Sequence, residues 1–196
     1  MQTLLDKITA NLQKSGLEPR TRESRNWLTD KVKDLTKYNP RNVLKDSSRT
    51  ASKIMPGKMY FYNYDPKGKD TLPYFDRFPL VLPIEMYSDG WLGMNLHYIR
   101  PRQRLVLLDK LYGTLNNTKF DETSKMRINY SLLSGVARYK EFAPCLKRYL
   151  SSHVKSRLIE IPPTEWEVAA VLPFDMFENA NRNKVYKDSK EIIDAV

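Results

Sequence analysis

The sequence predicts an α+β chain: a small, bent antiparallel sheet of the Src-homology-3-like partial-barrel kind, packed with several helices and preceded by a helical N-terminal arm. Three observations predict it. The first 37 residues carry apolar positions at helical spacing. Residues 58–98 are rich in β-formers and alternate in polarity. Near Pro101 the apolar period changes from two to that of a helix.

The elements follow in order. Leu4, Leu5, Ile8 and Leu12 make one stripe of a first helix, capped by Thr3 and ended by Ser15-Gly16. A second helix is expected from about Arg22 to Lys37, with Trp27, Leu28, Val32 and Leu35 on one side and Lys31, Asp34 and Lys37 on the other. Asn39-Pro40 stops it, because the residue before a proline is pushed out of the helical region. DSSRTASKIMPG, residues 46–57, reads as a linker. These stripes are too narrow to form a core alone. The arm, residues 1–57, must therefore pack on its own body, on another subunit or on a different protein. Short helices are marginal in water without such packing, so the arm is expected to be dispensable for folding of the body.

The body, residues 58–196, starts with KMYFYNY, which puts Tyr60 and Tyr62 on one face and Met59 and Phe61 on the other. DPKGKDTLP is turn chemistry. PLVLPIEMY and WLGMNLHY read as two strands joined by the tight turn SDG. Pro79 and Pro83 place the first of them at an edge or a bend. A helix is expected over Arg102–Leu115, another opening at Asp121-Glu122-Thr123 with Met126, Ile128, Leu132 and Leu133, and a third over about Ala143–Val154 with Leu146, Tyr149 and Leu150 buried. LIEIPP returns to the sheet as a strand. Pro163-Thr164-Glu165 starts a short helix through Trp166, Val168 and Val171, and a polar surface helix ends the chain.

Composition limits the function classes. Hydrophobic residues make up 41% of the 196, enough for a core. No apolar run approaches the roughly 18–20 residues of a membrane span, and the N-terminus lacks a secretory pattern. A single cysteine, Cys145, excludes an internal disulfide framework. The expectation is a soluble protein made in a reducing cytoplasm, with no membrane partner.

The net charge is +10, and it is uneven. Residues 20–58 hold eleven bases against four acids, a net of +7. Such a segment suits a polyanion or an acidic protein surface. Its candidate contacts are Arg20, Arg22, Arg25, Trp27 and Lys31. In the body, CLKRYLSSHVKSR supplies Lys147, Arg148, Lys155 and Arg157. These nine residues are the candidate partner- or DNA-binding set. Aromatic strands beside bases can stack single-stranded bases, although cross-strand core pairing is the favoured reading of Tyr60, Tyr62, Tyr64, Trp91 and Tyr98.

Signs of catalysis are weak. The seven glycines form no phosphate-cradling loop or dinucleotide fingerprint. His97 and His153 lie in different elements, and Cys145 reads as a buried thiol. Asp65, Asp70, Asp76 and Glu85 are the only carboxylates of the sheet region that could hold Mg²⁺. Asp65 and Asp70 read as turn residues. Asp76, between aromatics and beside Arg77, reads as a local ion pair or turn bond. No catalytic residue, metal ligand or cofactor is expected, and the protein is read as non-enzymatic.

YDPK…LPYFDRFPLVLP (Tyr64 to Pro83) and G-x-N-L-H-Y (Gly93 to Tyr98) are distinctive strings. With them, residues 56–190 resemble a conserved virion-associated protein family of contractile-tailed bacteriophages. The resemblance has a further link to DNA end-protector proteins. It implies a virion component of tail, baseplate or neck, part of a multi-subunit assembly, whose arm clamps neighbouring virion proteins. The alternative is a phage DNA-binding protein acting at packaged DNA or DNA ends.

Overall fold

The computed structural model describes residues 4–33, 39–115 and 140–195, with Ser131 and Gly135 between. The expected helix at Asp121 to Leu133, the Thr3 cap and the continuation of the second helix to Lys37 lie outside the described residues. What is described is a mixed α+β fold with a small antiparallel sheet and N-terminal helices, as the sequence predicts. The order is α1 (Leu4–Lys14), α2 (Arg22–Lys33), β1 (Thr50–Ala51), β2 (Met59–Phe61), β3 (Phe75–Asp76), β4 (Leu80–Tyr87), β5 (Gly90–Asn95) and α3 (Pro101–Leu115). β6 (Leu146–Leu150), β7 (Leu158–Ile161), α4 (Trp166–Val171), β8 (Phe177–Glu178) and α5 (Arg182–Ala195) follow.

Six strands form one sheet in the order β1-β7-β2-β4-β5-β6, and β3 pairs with β8 in a separate ribbon. Alternation assigns the faces. Met59, Phe61, Leu80, Leu82 and Met94 join the main core. Tyr60, Tyr62, Val81, Trp91 and Tyr149 form a second cluster on the opposite face. The sheet curls around that cluster, because Tyr64, just past β2, bridges to Val154, just past β6. Pro83 lies in β4, an interior strand, where the pairing with β5 slips between Pro83 and Glu85. A bulge of this kind bends a strand, so the proline marks a bend and not an edge. Gly93 sits opposite Pro83. A Cβ there would collide with Val81 Cγ1, so the close approach requires glycine.

In place of the expected helix over Ala143–Val154 stands β6, Leu146–Leu150, flanked by 3-10 turns. Leu146, Tyr149 and Leu150 have helical spacing, but Pro144 stands just before them in a 3-10 stretch, Lys140–Cys145. The next five residues then pair with β5, from Gly90↔Leu150 to Met94↔Leu146. The sheet edge of β5 overrides the local pattern.

Of the three surfaces open to the N-terminal helices, their own body receives them. Leu5, Ile8, Leu12, Leu28 and Val43 are buried in the main core with Trp166, Val168 and Ala169 of α4. Part of the expected linker is structured: a 3-10 turn at Ser47–Arg49 leads into β1, which pairs with β7. Arg49 ties the layers together. Its guanidinium meets Glu165 in two places, Asp6 of α1, and Asp46 at 2.9 Å. Arg25 of α2 likewise holds Asp109 of α3 and Glu167 of α4, the latter at 2.8 Å.

Burial has a pH signature. It pushes the Cys145 thiol up to about 12 and holds the Tyr62 and Tyr149 hydroxyls well above their usual range. Each group ionises more readily in the unfolded chain. Its contribution is therefore complete below about pH 9 and is lost as the pH rises toward 12. Each fully buried group that titrates this way removes about 1.4 kcal/mol per pH unit. The urea midpoint is expected to hold between about pH 7 and 8.5 and to fall steeply by about pH 11. A flat midpoint up to pH 11 would contradict this.

Candidate nucleic-acid interface

The two distinctive strings meet at a buried polar knot. Asp76 Oδ2 lies 2.7 Å from His97 Nδ1 and accepts from Asn95 Nδ2 at 3.0 Å. Asp76 Oδ1 accepts the Phe78 N–H at 3.1 Å and the Met176 N–H at 3.4 Å. Asn95 Oδ1 caps the following 3-10 turn by accepting the His97 N–H. Asp76, Asn95 and His97 are all buried. Beside them Arg104 is also buried, donating to the carbonyls of Ile99 at 2.9 Å and Ala170 at 2.8 Å and to the Tyr186 hydroxyl at 2.9 Å. The knot joins β3, β5 and the chain before β8. Its enclosure explains why strings so distinctive name no chemistry: they encode packing. The sequence did not single out Arg104, because two of its partners, Ala170 and Tyr186, lie 66 and 82 residues away in the chain.

The nine candidate contacts divide by what they already hold. Arg25 is committed to Asp109 and Glu167, and its hydrogen bond to Asp109 raises the guanidinium further above its usual value. Lys147 Nζ lies 4.1 Å from the Tyr98 ring centre, and burial lowers its pKa. Arg148 pairs with Asp89 and stacks at 4.4 Å over Tyr87. Trp27 packs partly on the main core, with Lys31 Nζ 5.6 Å from its ring centre. Arg20 is half-buried with φ of 70°. Arg22, Lys31, Lys155 and Arg157 are exposed. The aromatic strands are core, the favoured reading of them, and not an open stacking platform. Tyr62 meets Trp91 and Tyr149 edge-on at 5.7 Å each, inside the second cluster.

Exposed Lys155 borders a cleft of about 480 Å³. Three chain segments build its walls. The Lys155 N–H donates to the Asn63 carbonyl at 2.9 Å, and the Asn63 N–H donates to Ser156 Oγ at 2.8 Å. The Tyr64 N–H donates to the Arg77 carbonyl at 3.0 Å, and the Arg77 N–H donates to the Met176 carbonyl at 2.8 Å. His153 Nδ1 lies 2.7 Å from the Asp65 carbonyl. Two ion pairs line the cleft, Lys69–Asp65 at 3.2 Å and Arg77–Glu178 at 2.9 Å. Half-buried Phe75 and exposed Asn179 complete it. Lys67, in the loop that carries Asp65, Lys69 and Asp70, is exposed, as is Lys53, two residues past β1. The DPKGKD turn was the sequence signal for this place, but nothing local tied it to residues 155–157.

Among the described residues, no group of three or more His, Cys, Asp and Glu could hold a metal ion. No helix among them is long and apolar enough to cross a membrane. Residues 3–193 match the sequence profile of the family described as Phage T4 terminal DNA protecting protein. This chain belongs to that family. The terminal DNA protecting profile spans both the first 57 residues and the body, so the N-terminal helices are part of the family's sequence, beyond the 56–190 span of the resemblance. Membership favours the DNA-end reading over a tail, baseplate or neck component. No curated protein and no solved structure matches the chain.

Proposed function

We propose that this protein binds the ends of linear double-stranded phage DNA and shields them from exonucleases, without catalysing a reaction itself. The observation that carries the reading is the family match over residues 3–193. The net charge of +10 is consistent with it, because each phosphate neutralised by Lys or Arg releases counterions. The bases available for this are exposed ones, among them Arg22, Lys31, Lys53, Lys155 and Arg157. Buried or paired bases such as Arg25 and Arg148 hold the fold. The proposed partner is therefore DNA, met in the infected cell or in the virion.

The test is an exonuclease challenge. Purified full-length protein is mixed with linear duplex and with covalently closed circles at several salt concentrations. The linear ends are expected to resist digestion, with the circles competing poorly. Contact with about five phosphates predicts a slope of log affinity against log salt of about −4.5. Equal affinity for circles and ends, or digestion at the unprotected rate, would overturn the reading.

A further inference from the structure

We infer that the cleft between Asn63, Phe75, Lys155 and Asn179 receives the 3′-terminal nucleoside of a DNA strand. The inference rests on the end-binding reading and deepens it. An end-binding protein must tell a terminus from the flank of a duplex. Charge alone cannot do so, because every stretch of duplex carries the same phosphates. A cleft with room for one strand and not for two can. Its volume of about 480 Å³ lies in the range of small-ligand sites and is far too small for a duplex. Only a strand terminus, frayed from its last pair, can enter.

The lining decides which terminus. Lys69 is matched by Asp65 and Arg77 by Glu178, which leaves Lys155 and Asp70 as the remaining charges. The interior is thus close to neutral, and Asp70 would repel a terminal phosphate. A 5′ end carrying its phosphate is disfavoured. A 3′ end presents a hydroxyl, which can donate to the Asp70 carboxylate or to the side-chain carbonyls of Asn63 and Asn179. Phe75 offers a ring face to the base. Lys155, exposed in the lining, is the cation free to meet the last internucleotide phosphate, and exposed Lys67 and Arg157 stand two residues along the chain from lining residues. The hydrogen bonds among residues 63–65, 77 and 153–156 fix the walls before any ligand arrives, which lowers the cost of ordering the site on binding.

The experiment measures fluorescence anisotropy of the full-length protein with short blunt duplexes closed at one end by a hairpin. The open end carries a 3′-hydroxyl or a 3′-phosphate, and a 5′-hydroxyl or a 5′-phosphate. A 3′-phosphate is expected to weaken binding tenfold or more, and the 5′ group to change it less than twofold. Lys155→Glu should cost the 3′-hydroxyl duplex at least tenfold with an unchanged melting temperature, since the side chain is exposed. Asp70→Asn should narrow the discrimination against 3′-phosphate. Tight end binding that ignores the 3′ group, or that depends on the 5′ group, overturns the inference and leaves end protection standing. Binding no tighter than to a duplex capped at both ends overturns both.

Discussion

Replacing Asp76 by alanine is expected to lower the unfolding free energy by about 3–5 kcal/mol, the range for removing one member of a buried polar pair. The loss is large because one carboxylate serves four donors from three parts of the chain: His97, Asn95, and the N–H groups of Phe78 and Met176. Alanine leaves His97, Asn95 and the Phe78 N–H buried without this acceptor, and each unsatisfied group costs about 1–3 kcal/mol before relaxation. Asparagine does not rescue the site. One side of the carboxylate faces Asn95 and His97 and the other faces two backbone N–H groups, so either amide orientation sets a donor against donors. Asn95 cannot turn to compensate, because its Oδ1 already accepts the His97 N–H at 3.1 Å. Urea denaturation of Asp76→Ala and Asp76→Asn should show both midpoints well below that of the parent. An Asp76→Asn midpoint matching the parent would contradict this account of the knot.

Deletion of residues 1–57 is expected to abolish cooperative folding. Six side chains of the segment, Leu5, Ile8, Leu12, Leu28, Val43 and Ile54, are buried. At about 1.5–3 kcal/mol each they contribute about 9–18 kcal/mol, against a typical total stability of about 5–15 kcal/mol. The deletion also removes Arg49 and Arg25, leaving Glu165 and Glu167 without these partners. Circular dichroism of residues 58–196 should show no sharp thermal transition. A truncated chain that melts cooperatively within a few degrees of the full protein would restore the picture of a dispensable arm.

Sequence reasoning read best where a pattern is local. KMYFYNY alternates, and its tyrosines and Met59/Phe61 do fall on opposite faces. The stripe of Leu5, Ile8 and Leu12 is the buried face of α1. Reading failed where distant partners decide. Leu146, Tyr149 and Leu150 fit a helix until β5 offers them an edge. Arg49 looked like a linker charge because Glu165 lies 116 residues away. The same holds at the candidate site. The excess of bases is visible in the composition, but the cleft exists only once residues 63–65, 155 and 178–179 converge. For Arg25, Lys147 and Arg148 the sequence shows a charge but not the carboxylates and rings that each already meets.

The place of β7 has a consequence for synthesis. This strand lies between β1 and β2 and pairs with both. Phe61 must therefore wait for Ile159, close to a hundred residues later. At about 5–20 residues per second, that is roughly 5–20 s during which the edge of β2 and the aromatic stripe behind it are made but unpaired. Pairings this remote also slow folding after release. The nascent chain thus passes through a long interval with an open strand edge, the condition that favours aggregation and chaperone capture. Lowering the growth temperature during expression, which reduces the concentration of such chains, should raise the yield of folded protein more than adding a stabilising mutation to the finished sheet.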